Sequence, residues 1–159
     1  LGELADELVE LFEPVARERG LTLTGRADHG AIVEGNRQLL AQLITNLLEN
    51  ALKYVPSGGR IDVAVKRLAD HAHLVISDDG PGMPEEDRQR AGQPFARVGQ
   101  RSGLEGSGLG LSLVSALARL HRARLTLESN DPGLRAVVSL PLAASQVPAS
   151  ASLSRSISA

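Results

Sequence analysis

The sequence predicts a two-layer α/β sandwich, in which three helices cover a sheet of four to five mostly antiparallel strands. Three segments carry apolar residues at helical spacing. Several other short segments alternate apolar and polar residues, and two pairs of these are predicted to lie side by side. The length of 159 residues suits one domain with a sizeable core.

Each helix is predicted from apolar residues that recur on one face. The first covers residues 3–19, and the second begins at Asn36, a suitable N-cap, and ends near Tyr54. The third covers Leu109–Leu120. The supporting apolar residues are Leu4, Leu8, Leu11, Phe12 and Val15; Leu39, Leu40, Leu43, Ile44, Leu47, Leu48 and Ala51; and Leu109, Leu113, Val114, Leu117 and Leu120.

The predicted strands are short. One lies at 21–24, and a weaker apolar stretch follows at 31–33. The remaining strands form two pairs, 61–65 with 74–77 and 124–128 with 135–140; the second pair is joined by the turn 130–133.

Two regions carry no such pattern. Residues 80–108 show no sustained apolar period, so they are either a functional loop or a wrongly assigned element. Residues 143–159 are rich in Ala and Ser and are predicted to be a disordered tail, which leaves a domain at 1–142.

Composition excludes several classes of function. The net charge of -2 argues against binding to nucleic acid or to an anionic membrane surface. The absence of cysteine excludes disulfides, a thiolate nucleophile and thiolate metal sites. No run of 18 apolar residues occurs, and the acidic, amphipathic N-terminus does not resemble a signal peptide.

Asn46, Asn50 and Lys53 occupy positions i, i+4 and i+7 of the second predicted helix. At about 100° per residue they fall within a stripe of roughly 60° on one edge of the helix. Carboxamide oxygens suit Mg²⁺, and an ammonium group binds phosphate. The alternative is an ordinary solvated helix face.

Two carboxylates and two glycines follow the strand at 74–77, in the run Asp78-Asp79-Gly80-Pro81-Gly82. An aspartate at a strand end can accept a hydrogen bond from an exocyclic amine such as that of adenine. Glycines allow the backbone to approach a flat ligand closely. A charged surface turn is the alternative.

The run Gly106-Ser107-Gly108-Leu109-Gly110-Leu111 leads directly into the third predicted helix. Its backbone N–H groups, together with the helix N-terminus, can bind an anion. It lacks the Lys-Ser/Thr ending of a P-loop, and Leu111 stands where a dinucleotide fingerprint has its last glycine. The alternative is a hinge without a ligand. The three segments together, with a long loop before the last, indicate a nucleotide site with a lid.

These segments resemble the ATP-binding motifs of sensor histidine kinases. The matches are Asn46-xxx-Asn50-xx-Lys53-Tyr54 with the N box, Asp78-x-Gly80-x-Gly82 with the G1 box, Pro94-Phe95-Ala96-Arg97 with the F box, and Gly106-x-Gly108-x-Gly110-Leu111 with the G2 box. The resemblance covers about residues 1–142. It implies the Bergerat ATP-binding fold, with a mixed, mostly antiparallel sheet of about five strands, three helices and a long ATP lid.

The resemblance also implies roles for single residues. Asp78 would accept from the adenine amine, and Asn50 would ligate Mg²⁺. Asn46 and Lys53 would lie beside the phosphates, and Tyr54 would pack near the nucleotide. Asn46, Asn50, Lys53 and Arg97 would thus form the catalytic group.

The glycine motifs and the loop receive roles in the same way. Gly80 and Gly82 would shape the adenine pocket, and Phe95 would anchor the lid. Arg97 would meet the γ-phosphate or the acceptor domain. The lid hinge and the phosphate-binding backbone would be Gly106, Gly108 and Gly110, with Ser107, Leu109 and Leu111 in the same nucleotide-binding segment.

Three positions depart from the family pattern. Asp79 stands where asparagine is usual and adds a negative charge near the pocket. The run His121-Arg122-Ala123 replaces a frequent His-Gly-Gly, and Leu134-Arg135-Ala136 occupies the place of a frequent Gly-Thr pair.

No histidine here has the setting of the family's phosphoacceptor, so His29, His71, His73 and His121 are predicted to be ordinary surface or edge histidines. The resemblance therefore implies a phosphoacceptor on a dimerisation domain preceding residue 1, and a response regulator downstream. It implies a cytoplasmic, monomeric domain without contact to nucleic acid or membrane, in a homodimeric parent that is often an inner-membrane sensor.

Two alternatives differ in chemistry. Hydrolysing members of the fold carry a glutamate four residues before the metal-binding asparagine; here that position is Asn46, which cannot take a proton. Glu49 is near but lies about 60° away around the helix. A nucleotide-binding pseudokinase would fail at the metal or the acceptor, and the presence of Asn50 and Lys53 argues against it.

Overall fold

The computed structural model describes residues 1–91 and 109–144. The elements in these ranges are α1 (Gly2–Glu18), β1 (Thr22–Ala27), α2 (Arg37–Tyr54), β2 (Arg60–Arg67), β3 (His71–Asp78), α3 (Glu85–Ala91), α4 (Leu109–Leu120), β4 (Arg124–Ser129) and β5 (Leu134–Pro141). None of the helices in these ranges is long and apolar enough to cross a membrane.

The five strands form one sheet in the order β1-β2-β3-β5-β4. β1 pairs with β2 in parallel, and the other three pairings are antiparallel. β3 is therefore paired on both sides. The predicted two-layer fold with a mixed, mostly antiparallel sheet is confirmed.

The core lies between the sheet and the helices because each element buries one apolar face. In β2, Ile61, Val63 and Val65 are buried while their neighbours are more exposed. α2 buries a wide stripe against them. Asn36 caps this helix by accepting hydrogen bonds from the N–H groups of Gln38 and Leu39, as predicted.

Leu48 has no exposed surface, so Leu48→Ala is expected to leave a cavity in this core. The free energy of unfolding should fall by about 2–5 kcal/mol, measured by urea denaturation. Leu11→Ala is the control, because Leu11 is 65% exposed on α1, and its effect should stay within about 0.5 kcal/mol. Equal effects of the two substitutions would contradict this assignment of the core.

The structure differs from the sequence prediction in one helix. α3 lies within the stretch predicted to be irregular, so four helices are present in the described ranges. Its sequence has acidic residues in the first turn and arginines in the last, which suits the helix dipole. It has no apolar period, so amphipathic spacing did not predict this helix.

The stretch at 31–33 forms an isolated bridge between Val33 and Leu142 instead of a strand. The Ala143 N–H donates to the Ile32 carbonyl at 2.9 Å. Residues 145–159 of the predicted disordered tail lie outside the described residues.

The prediction for His121 was wrong, because this histidine is 7% exposed. Its Nδ1 bonds to the Leu117 carbonyl at 2.8 Å, and its Nε2 accepts the Asn36 N–H at 3.2 Å. The ring thus joins the end of α4 to the start of α2. The partner is 85 residues away in the chain, so no local pattern indicated burial.

Candidate functional site

The polar stripe on α2 forms as predicted, and its last residue is the most exposed. Asn46 and Asn50 are half-buried, whereas Lys53 is exposed. The Asn46 Nδ2 donates to the Gln42 carbonyl at 2.7 Å. The Lys53 ammonium lies 5.4 Å from the centroid of the Tyr54 ring. The last turns of α2 therefore present two carboxamides and a cation along one edge.

Asn50 lies against the start of α4. A Cβ added to Gly110 would lie 3.1 Å from the Asn50 Oδ1, so glycine permits this close approach. The Asn50 Nδ2 is buried and finds no hydrogen-bond partner within residues 1–91 and 109–144. A buried polar atom without a partner is costly, and native proteins rarely leave one. This side chain therefore fits a ligand at the end of α2.

Asp78 ends β3, and its carboxylate is partly fixed by the main chain. Its Oδ1 accepts the N–H groups of Gly80 at 2.9 Å and of Leu134 at 3.3 Å. Burial raises the pKa of Asp78 above its ordinary value of 3.8. The two N–H donors oppose this increase in pKa, and the neighbouring Asp79 adds to it. The carboxylate is thus partly desolvated, and its Oδ1 is held by two main-chain donors.

Two glycines are required where the β4–β5 turn meets the loop after β3. Gly133 has φ of +111°, and a Cβ there would lie 1.8 Å from the Asp78 carbonyl oxygen. Gly82 has φ of +71°, and its Cβ would lie 2.9 Å from the Gly133 carbonyl oxygen. Any other residue at Gly133 would displace the backbone of Asp78.

The end of α2 also contacts this loop. A Cβ added to Gly80 would lie 3.2 Å from the Val55 Cγ2 and 3.0 Å from the Asp78 Oδ1. The start of α4 and the loop after β3 therefore both contact the C-terminal half of α2, which carries the polar stripe.

Asp79 has a structural contact that the sequence did not indicate. Its Oδ1 accepts the Arg60 N–H at 2.7 Å, and its own N–H donates to the Arg60 carbonyl at 3.2 Å. The side chain thus ties the end of β3 to the start of β2, while its charge still acts on Asp78.

Asp79→Asn is expected to lower the pKa of Asp78, because it removes the neighbouring negative charge. The asparagine Oδ1 can keep the bond to Arg60, so the fold should be unchanged. The pKa is measured by following the Asp78 carboxyl carbon in an NMR pH titration. An unchanged or increased pKa would contradict this coupling.

The other predicted site residues lie partly in α4 and partly outside the described ranges. Leu109 begins α4, and Leu111 packs against the core. Phe95, Arg97, Gly106, Ser107 and Gly108 lie outside the described residues.

Sequence reasoning missed the contacts of the β4–β5 turn with Asp78. Residues 130–133 were predicted to be a turn, but nothing in them indicated a partner. The contact follows from the pairing of β5 with β3, with Ser77 opposite Arg135, and the sequence analysis did not predict that pairing.

A cavity of about 530 Å³ lies between α3, α4 and β4. Ser115, Arg119 and Leu127 are among the residues that line it, whereas Asn50 and Asp78 do not. The candidate site is therefore separate from this cavity and rests on the chemistry of its side chains.

The fold is a mixed five-stranded sheet packed against helices, with Asp78 at the end of β3. Residues 35–144 match the family described as histidine kinase-, DNA gyrase B- and HSP90-like ATPase, and the chain belongs to this family. Signal transduction histidine-protein kinase/phosphatase MprB of Mycobacterium tuberculosis is 37% identical over 132 residues, which cover 82% of this chain. The chain is a catalytic ATP-binding domain of the histidine kinase type, and it spans 26% of that relative's length.

Solved structures agree with this assignment. A mycobacterial sensor histidine kinase MprB has a TM-score of 0.72 at 30% identity, over 88% of this chain and 94% of that one. The catalytic domain of histidine kinase ThkA has a TM-score of 0.77 at 25% identity, over 89% and 92%. ThkA has also been solved in complex with the response regulator protein TrrA; that structure has 21% identity, a TM-score of 0.70, and coverage of 90% of this chain and 40% of that chain.

Proposed function

We propose that this chain binds Mg-ATP and transfers the γ-phosphoryl group to a histidine imidazole on a separate dimerisation domain. The observation that supports this most directly is the carboxylate of Asp78. Its Oδ1 is occupied by two main-chain donors, and no donor from the described part of the chain reaches its Oδ2. An oriented acceptor of this kind suits the 6-amino group of adenine.

The phosphates belong at the other end of the proposed site. Lys53 supplies a cation at the end of α2, and the start of α4 at Gly110 offers helix N-terminal N–H groups. The roles of Tyr54, Gly80 and Gly82 around the base, and of Arg97, Phe95 and the run 106–108, follow from the family motifs alone.

Mg²⁺ would be held by Asn50, with Asn46 beside the phosphates. The metal ligand would be the Oδ1 of Asn50, whereas the unpaired Nδ2 is a donor and suits an acceptor such as a phosphate oxygen. When bound, the cation would neutralise charge on the triphosphate. No carboxylate lies along this stripe of α2, which accords with a metal held mainly through phosphates.

The polar groups of α2 favour transfer to an imidazole over hydrolysis. Water needs a base, and Asn46 cannot serve as one, because a carboxamide does not take a proton at neutral pH. A neutral imidazole nitrogen can attack directly. The new N–P bond forms as the bond from the γ-phosphorus to the bridging oxygen breaks, and ADP leaves.

The partners follow from the same proposal. The phosphoacceptor would lie on the dimerisation domain of a homodimeric parent protein, and the phosphoryl group would pass on to a response regulator. The domain itself would be monomeric and would work in the cytoplasm, without binding nucleic acid or membrane.

Titration with ATP by calorimetry, with and without Mg²⁺, tests the first half of the proposal. We expect binding in the micromolar range that Mg²⁺ strengthens. The second half is tested by adding the parent's dimerisation domain and γ-labelled ATP, where label should appear on that domain. Binding without transfer would favour a nucleotide-binding module that lacks kinase activity, and steady-state phosphate release without transfer would favour an ATPase.

A further inference from the structure

Asn130 contacts Asp78 across 52 residues of sequence. Its Nδ2 donates to the main-chain carbonyl of Asp78 at 2.8 Å. The β3–β5 ladder ends one residue earlier, at Ser77 opposite Arg135. The side chain of Asn130 therefore supplies a bond to β3 just beyond the point where β5 stops supplying them.

The turn that carries Asn130 is itself held in shape. The Asn130 N–H donates to the Gly133 carbonyl at 3.1 Å, which closes the turn. Gly133 lies directly against the Asp78 carbonyl oxygen, and the next N–H, that of Leu134, reaches the Asp78 Oδ1. Both the main chain and the side chain of Asp78 are thus held by residues 130–134.

Asn130 has no part in the core, since its side chain is exposed. Its substitution removes a single hydrogen bond and leaves the buried apolar surface as it was. An effect on nucleotide binding would therefore come through Asp78.

We propose that Asn130 is a positioning residue that fixes Asp78 so that its free oxygen meets the 6-amino group of adenine; this inference rests on the proposed nucleotide site. A carboxylate accepts from a 6-amino group and is repelled by a 6-oxo group. Loosening Asp78 should therefore weaken the selection of adenine over hypoxanthine more than it weakens binding of the triphosphate.

The test compares ATP with ITP, which carries a 6-oxo group on the base, and uses the variants Asn130→Ala and Asp131→Asn. Asp131 is the matched control because it lies on the same exposed turn with φ of +47°, a conformation that asparagine tolerates. We expect Asn130→Ala to weaken ATP binding about tenfold, as the loss of one hydrogen bond would. ITP affinity should change less than twofold, and Asp131→Asn should match the wild type for both nucleotides.

A second measurement needs no nucleotide. Amide hydrogen exchange at Leu134 should become at least about fivefold faster in Asn130→Ala, because its bond to Asp78 weakens, and stay unchanged in Asp131→Asn. An unchanged exchange rate, or an equal loss of ATP and ITP affinity, would overturn the role of Asn130. If the wild type bound neither nucleotide, the proposed function would fail, and the exchange rates would still decide whether Asn130 holds Asp78.

Discussion

Asp78→Asn is expected to weaken nucleotide binding by up to about 100-fold and leave the unliganded fold at least as stable as the wild type. The asparagine Oδ1 can still accept from Gly80 and Leu134, so the loop keeps its shape. Its Nδ2 would then face the adenine amine, donor against donor. An unpaired polar group in a desolvated site costs about 1–3 kcal/mol, which corresponds to a loss of up to about 100-fold in affinity.

The effect on stability follows from the pKa of Asp78, which burial raises. The native state then binds this proton more tightly than the unfolded state does, so stability falls as pH rises from 3.8 through the raised pKa. Above that range the ionised carboxylate opposes folding, and Asp78→Asn removes this penalty. Nucleotide binding has the opposite dependence, because it needs the ionised form and is lost as pH falls through the raised pKa.

Calorimetry with ATP and urea denaturation at pH 7 measure both effects. Asp62→Asn is the control, since Asp62 lies on β2 and pairs with Thr24 away from the proposed adenine site. ATP affinity within threefold of the wild type, or a clear loss of stability in Asp78→Asn, would argue against the assigned role.

The second large effect is expected from Asn50→Ala. Phosphoryl transfer should fall by more than about 100-fold, because the residue proposed to hold Mg²⁺ is removed. The fold should survive, since the substitution also removes the unpaired buried Nδ2. Binding of ATP without Mg²⁺ should be nearly unchanged, and the strengthening of binding by Mg²⁺ should disappear.

Glu49→Ala is the matched control for Asn50→Ala. Glu49 precedes Asn50 on α2 but is exposed, and its substitution should leave transfer to the dimerisation domain unchanged. Normal transfer by Asn50→Ala would contradict the proposed metal site. Loss of transfer in both variants would indicate that transfer is sensitive to any substitution in this part of α2, and not to the Asn50 carboxamide in particular.

Much of the fold could be predicted because its elements carry strong periodic signals. α4 was predicted at its observed limits, and the N-cap of α2 was identified at Asn36. These features depend on residues no more than four positions apart, so a single sequence is enough to predict them. α3 has charges but no apolar stripe, and the parallel pairing of β1 with β2 depends on how distant segments meet.

Some parts of the candidate site could likewise be predicted from the sequence, and others could not. The stripe on α2 and the Asp78 loop were visible because each lies within one short segment. The Asn130 bond to Asp78 and the approach of Gly110 to Asn50 join segments more than 50 residues apart. The hydrogen bond from the Asn36 N–H to the buried His121 is a third case. Contacts of this kind depend on the assembled sheet and have no local sequence pattern.

The two donors that hold the Asp78 carboxylate belong to the main chain, and every amino acid except proline has such an N–H group. The donor at position 134 therefore does not depend on the leucine side chain. Substitutions at position 134 other than proline should therefore preserve this hydrogen bond, whereas position 133 has to stay glycine.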